Sequence, residues 1–243
     1  MSEQKLPMAG NAPPAPVVVS ASSMRLIATL SVFGAIAGAA IVLAFAWTKP
    51  RIEANQAARL TAAITEVLGG AEGYKTVFLE DGRLTLEPQA DTARMDRVYV
   101  GYDAAGQPRG VAMATQAPGF VDVIRLIFGY DPATGDLMGM KVLDNKETPG
   151  LGDKIEKDTL FTRQFIELGT PILGVKKGRA TGADEEVIMI TGATISSRIV
   201  IDMINRRLEA LKEPVSTYWS TSLTARGDST KAPDQPQRAG GGG

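Results

Sequence analysis

The chain has 243 residues, with 26 basic and 27 acidic side chains and neither cysteine nor histidine. Those two absences exclude disulfides, thiolate nucleophiles, Cys-ligated iron–sulfur clusters, the Ser-His-Asp triad and imidazole metal ligands; carboxylates alone suit neither zinc nor copper, so no metal site is expected. A formal charge of −1 lacks the basic face that nucleic acid requires, and any redox chemistry would need an organic cofactor.

Residues 1–24 are poor in aromatics and rich in Ala, Pro and Ser, and read as a disordered leader. Leu26 to Trp47 then gives 22 residues without a charge. As a helix this run spans about 33 Å, enough for a hydrocarbon core of about 30 Å. Arg25 closes one end; Trp47, Lys49 and Arg51 close the other. Ala44-Phe45-Ala46 offers a signal-peptidase-like site, but the apolar run exceeds the roughly 7–15 residues of a signal core. Residues 25–48 therefore read as an uncleaved transmembrane anchor. Lys5 and Arg25 before the span and Lys49, Arg51 and Arg59 after it nearly balance, so charge does not set the orientation. Gly34 and Gly38, with Ala35 and Ala39, form a strip that admits a second helix closely, although small residues are common in membrane helices.

Residues 49–223 make one domain. A helix over Arg51–Leu68 continues from the membrane and stops at Gly69-Gly70. Thr76–Glu80 and Arg83–Leu86 flank Asp81-Gly82, a strong hairpin signal. Val98–Tyr102 with Gly110–Thr115, and Val121–Gly129 with Leu137–Leu143, form two further pairs. Their Gly-Tyr-Asp ends match one another and suggest a weak duplication. A helix over Lys157–Leu168, strands over Ile172–Lys176 and Glu186–Ile190, and a closing helix over Ile195–Leu211 complete the domain. The apolar stripes expected on that last helix are Ile195, Ile199, Met203 and Val200, Ile204, Leu208. Residues 224–243 are polar and read as a disordered tail. The class is α+β: a single N-terminal transmembrane helix, then an antiparallel sheet with packed helices.

Two stretches suggest chemistry. Asn145 to Asp153 contains Pro149, Gly150 and Gly152 directly after a strand. Such a loop either connects two elements or lays its backbone against a planar or anionic ligand. Thr191-Gly192-Ala193-Thr194 leads from a buried strand into a helix that continues with Ser196 and Ser197. On spacing alone Thr194 reads as a helix N-cap. The same helix start, with small Gly192 and Ala193 leaving room, also suits a phosphate.

Taken together, Glu147-Thr-Pro-Gly-Leu-Gly152 and Thr191-Gly-Ala-Thr194 resemble the FMN-binding domain found in the G subunit of the Rnf complex and in its relative NqrC. The resemblance covers the anchor and nearly the whole soluble domain. In that family a flavin transferase joins the phosphate of FMN to a threonine within a [Ser/Thr]-Gly-Ala-[Ser/Thr] sequence, which implies one covalent FMN on Thr194. It further implies cofactor contacts from Thr191, Gly192, Ala193 and Ser196, and a flavin ring beside Glu147, Thr148, Pro149, Gly150, Leu151 and Gly152, with Thr148 and Leu151 foremost. Glu147 would either tune the ring or anchor the loop. Asp153 and Lys154 are expected as solvated charges, and Tyr99, Tyr102 and Tyr130 as packing residues. None of these side chains is expected to act as a catalyst. The implied function is an electron-carrier subunit of a ferredoxin/NAD-linked, ion-translocating oxidoreductase in a bacterial inner membrane. Its soluble domain would lie on the periplasmic side, with other members of the Rnf-type complex as partners. The alternatives are an NqrC-like flavoprotein, an FMN domain of a membrane regulator or reductase, or a membrane-tethered scaffold without flavin.

Overall fold

Helix α1 runs from Ser23 to Val67 in the computed structural model, which describes residues 23–227. Residues 1–22 and 228–243, and with them nearly all of the expected leader and tail, lie outside the described residues. The chain divides into a unit ending at Ala54 and a second beginning at Asn55. The first is the apolar part of α1, with a mean hydropathy of 2.4 over its membrane-length window and none of that window buried within the protein. At its C-terminal end, the Arg51 guanidinium lies 5.5 Å from the Trp47 ring, and Lys49 pairs with Glu53 at 3.7 Å. Aromatic and cationic side chains thus gather where a membrane–water boundary favours them.

In the second unit α1 ends as its two glycines require. Gly69 and Gly70 take φ of +62° and +83°, Gly70 N–H reaches back to Thr65 O and Gly69 N–H to Glu66 O. This reciprocal pair satisfies carbonyls that the helix end would otherwise orphan, and Arg109 Nε donates to Leu68 O at 2.9 Å beside them. Strands β1 (Gly73–Glu80), β2 (Arg83–Thr85), β3 (Arg97–Tyr102), β4 (Pro108–Pro118), β5 (Val123–Tyr130) and β6 (Leu137–Asp144) follow. They form one antiparallel sheet in the order β2-β1-β3-β4-β5-β6. The Asp81-Gly82 turn has positive φ at both residues, as a two-residue hairpin of matching twist demands.

The two suspected strand pairs share a local design. Each hairpin shifts register at its Gly-Tyr step, Gly101/Tyr102 in β3 and Gly129/Tyr130 in β5. Both glycines face the end of α1. A Cβ on Gly101 would lie 2.5 Å from Leu68 Cδ1, and one on Gly129 would lie 2.1 Å from Val67 O. The glycines therefore cut the hollow in which the last turn of α1 rests, with Ile64, Leu68, Tyr99, Ala112 and Ile127 around it.

The opposite face of the sheet carries the larger core, in which Val98, Met113, Leu126 and Phe128 meet helix α4 (Thr194–Gly227). Here two expectations change. The Lys157–Leu168 helix is broken into α2 (Lys154–Lys157), α3 (Thr159–Thr162) and a single tight turn over Arg163–Phe165. Asp158 interrupts it, because its carboxylate accepts from the N–H groups of Leu160 and Phe161 and starts a new helix. Helix α4 in turn runs well past Leu211 and through Pro214. Val215 and Trp219 are buried and extend the Val200–Ile204–Leu208–Leu211 stripe, so packing outweighs the proline. Strands β7 (Leu173–Lys176) and β8 (Glu186–Met189) form where expected but pair in parallel as a separate two-stranded sheet. Asn205 of α4 secures the start of β7 by bonding both the N–H and the carbonyl of Ile172 at 2.9 Å.

Candidate functional site

Three connections converge at the start of α4: the β4–β5 turn at residues 119–122, the loop after β6, and the turn after β8. The first is a tight turn closed by Gly119 N–H on Asp122 O at 2.8 Å. The third is set by Gly192, with φ +86°, and by the buried Ser197 hydroxyl, which donates to Ala193 O at 2.9 Å and accepts from Ile190 N–H at 3.2 Å. Ser197 thus staples the turn. Thr194 is not the cap that its spacing suggested but the first residue of the helix, and its hydroxyl reaches only Ile190 O, at 3.5 Å. That distance is at the limit of a hydrogen bond, so the half-buried hydroxyl is lightly held.

Glu147 joins the three connections. The residue is 5% exposed, and its carboxylate accepts from Val121 N–H at 3.0 Å through Oε1 and from Ser196 Oγ at 3.0 Å through Oε2. These two bonds make Glu147 a loop anchor, one of the two roles open to it in sequence. Ser196 is itself buried by this contact. Between the connections lies a pocket of about 380 Å³ lined by Glu147, Thr148, Leu151, Gly152, Gly192, Ala193, Thr194 and Ser196, with Phe120 and Ile195. A larger groove of about 940 Å³ runs between β2 and the middle of α4, by Arg83, Glu213 and Tyr218. It shares no residue with the motifs, and the chemistry of the smaller pocket makes that one the candidate.

Eight of the eleven sequence-derived site residues therefore come together. Pro149 and Gly150 do not line the pocket, and Gly150, with φ +78°, shapes the loop instead. Thr191 lines a neighbouring groove with Lys154, Leu160 and Ile188. Asp153 is corrected: it is buried rather than solvated, and pairs with Lys157 at 2.8 Å. The hydrogen bond from Lys157 is the main cause that holds its carboxyl below the ordinary aspartate range, and burial opposes it. Tyr99 and Tyr130 are buried in the sheet, Tyr99 edge-on to Tyr74 at 5.6 Å, which fits packing rather than ligand binding.

Sequence reasoning missed Phe120 and Ile195. Ile195 belonged to an expected core stripe, yet it is 57% exposed and borders the pocket. Phe120, 69% exposed, sits in the β4–β5 turn, where Pro118-Gly119 was the available signal for a break in the strand. With Leu151 they give the pocket three large apolar side chains with little to cover them.

The arrangement can hold a planar apolar group with an anionic end. Ser197 N–H donates to Ala193 O, so the N–H groups of Thr194, Ile195 and Ser196 precede the helical ladder at the positive end of α4's dipole. Among the described residues no cluster of carboxylates could hold a metal ion.

Comparisons with known proteins agree with this geometry. Residues 119–209 match the FMN-binding domain family, a stretch that begins at the β4–β5 turn and includes both motifs. The chain is 28% identical over 185 residues to the G subunit of an ion-translocating oxidoreductase complex of Methanosarcina acetivorans, covering 76% of this chain and 92% of the relative. A crystal structure of Shewanella oneidensis NqrC, 18% identical, shares the fold with a TM-score of 0.55 over 71% of this chain and 99% of that one. The corresponding G subunit of Erwinia tasmaniensis is 30% identical over 182 residues, with 73% of this chain and 84% of the relative covered. By that likeness the chain belongs to the family formed by the G subunit of ion-translocating oxidoreductase complexes.

Proposed function

We propose that this protein is the electron-carrier subunit of a membrane-bound, ion-translocating oxidoreductase, and that one FMN is esterified through its phosphate to Thr194. The single observation that carries the reading is the placement of Thr194: a lightly held hydroxyl on the first residue of α4, in the wall of a pocket with three exposed apolar side chains. The residues fit the group. A pocket of about 380 Å³ is within the range of cofactor sites, roughly 300–1,000 Å³. Phe120, Leu151 and Ile195 suit the faces of a flavin ring, and the N–H groups that begin α4 suit its phosphate.

Bound flavin supplies the one- and two-electron chemistry that the side chains lack. The chain's own part is to orient and shield. Gly192 and Ala193 leave space beside the ester, Leu151 and Phe120 limit water at the ring, and Glu147 holds the two loops against α4. Thr194 is a point of attachment and not a catalyst. In the proposed attachment, as the Oγ–P bond forms the bond from that phosphorus to the donor's leaving group breaks, and a flavin transferase supplies the base that takes the hydroxyl proton and assists that departure.

Finer features of the reading come from the family resemblance: exchange between ferredoxin and NAD, coupling to ion movement, and a soluble domain on the periplasmic side of a bacterial inner membrane. The partners are the other members of the complex. Mass spectrometry of the peptide containing Thr191–Thr194, from protein made in its natural host, should find one FMN less the water lost in ester formation. In-gel ultraviolet fluorescence should survive denaturation in the wild type and vanish in Thr194→Ala. A bare peptide from the native host would end the proposal and favour a scaffold without flavin.

A further inference from the structure

Glu147 does more than tie loops together, because the charge it buries is an unusual way to make two hydrogen bonds. Both of its partners, Val121 N–H and Ser196 Oγ, are uncharged. Among the described residues its carboxylate enters no ion pair; the adjacent Lys146 reaches instead to Asp122 at 3.5 Å. A glutamine would accept from the same N–H without the desolvation that a carboxylate suffers at 5% exposure.

The charge is also fixed in place. A Cβ on Gly119 would lie 2.4 Å from Oε1, and one on Gly152 would lie 2.4 Å from Oε2 and 2.9 Å from Ser196 Oγ. Two glycines thus leave the space that the carboxylate fills, and its hydrogen bonds to Val121 N–H and Ser196 Oγ hold it there. That space opens on the pocket that Glu147 lines.

Resting on the assignment of FMN to this pocket, we propose that Glu147 sets the potential of the flavin. Its immobile negative charge opposes the electron density that reduction adds to the ring, and so holds the midpoint potential low. Water is largely excluded, and the charge is felt more strongly than it would be at a surface. Ser196 moderates it, by donating to Oε2 and by drawing the carboxylate to the start of α4.

The test is a spectroelectrochemical titration of the full-length, detergent-solubilised protein carrying its flavin, with Glu147→Gln and Ser196→Ala beside the wild type. Thermal melts establish that each variant is folded. Glu147→Gln should raise the reduced-to-oxidised ratio at a fixed potential by about tenfold or more, at least about 30 mV for a two-electron couple. Ser196→Ala keeps the charge and removes a donor, so it should shift the ratio the other way. A purely structural tie would lower the melting temperature of the variants and leave the potential unmoved. An unchanged or lowered potential in flavin-bearing Glu147→Gln overturns the proposal while leaving the FMN assignment intact. If Glu147→Gln does not retain flavin, Ser196→Ala decides by itself, and an unchanged or raised potential overturns the proposal. Wild-type protein without flavin is a different result, and it removes the functional reading itself.

Discussion

Thr194 and Gly152 separate two meanings of a short motif, one chemical and one steric. If Thr194 were chiefly a cap, its replacement by alanine would cost about 1 kcal/mol. Its hydroxyl makes only a marginal bond to Ile190 O, so Thr194→Ala should stay within about 0.5 kcal/mol of wild type in chemical denaturation of the flavin-free protein. The same substitution should remove all covalent flavin. Gly152→Ala should behave in the opposite way. Its new Cβ would meet Glu147 Oε2 at 2.4 Å and Glu147 Cβ at 2.7 Å, and moving the carboxylate would break its bond to Ser196. Destabilisation of about 1–3 kcal/mol is expected by thermal unfolding, with Thr194 still present but poorly flavinylated. The quartet stood out in the sequence because a strand-to-helix turn is a local pattern, and only the family resemblance pointed from it to attachment on Thr194. The role of Gly152 did not stand out, since it depends on a side chain that folds back over it.

At the scale of elements, α4 and the broken α2–α3 segment show packing and capping overriding a propensity. The closing helix carries a proline in its interior, yet continues because Val215 and Trp219 remain in the core. Trp219→Ala should therefore cost about 3–5 kcal/mol and lower the urea midpoint, a loss unexpected if the helix ended at Leu211. The opposite happens around Asp158, where an expected single helix divides because the carboxylate caps a second one. Asp158→Ala should cost about 0.5–2 kcal/mol in thermal unfolding. Strand positions were easier to read, because alternation and turn residues are short-range signals. The parallel pairing of β7 and β8 was not, because direction is set by a connection that the two strands' own sequences do not encode.

Across the molecule, Arg207 of α4 and Asp96, just before β3, join the last helix to the sheet. Burial alone would raise the Asp96 pKa, but the hydrogen bonds and charge of Arg207 outweigh it and hold the carboxyl below its ordinary value. A depressed carboxyl stabilises the fold above its unfolded pKa and loses that contribution as pH falls through the lower folded value. Arg207→Gln should thus melt lower than wild type at neutral pH, and the gap should narrow below about pH 4, the ordinary aspartate range. A flat difference across that window would show that the pair does not link pH to stability. The apolar span gives a second test at this scale: the full chain should remain with membranes after an alkaline wash, and should need detergent for release.

The sequence by itself determined what depends on composition or near neighbours. The uncharged run of α1, the Gly69-Gly70 stop, the Asp81-Gly82 turn and the Thr191–Thr194 quartet each carry their physics within a few residues. Without cysteine or histidine, any redox chemistry also had to come from an organic cofactor. Only the tertiary structure decided how the site is assembled. Glu147 bonds across 26 residues to Val121 and across 49 to Ser196, and those contacts bring three connections together. Burial of Asp153, exposure of Ile195 and the arrival of Phe120 at the pocket follow from that assembly. They were hidden because a side chain's environment is fixed by what the fold places opposite it, and no local pattern records which partner that will be.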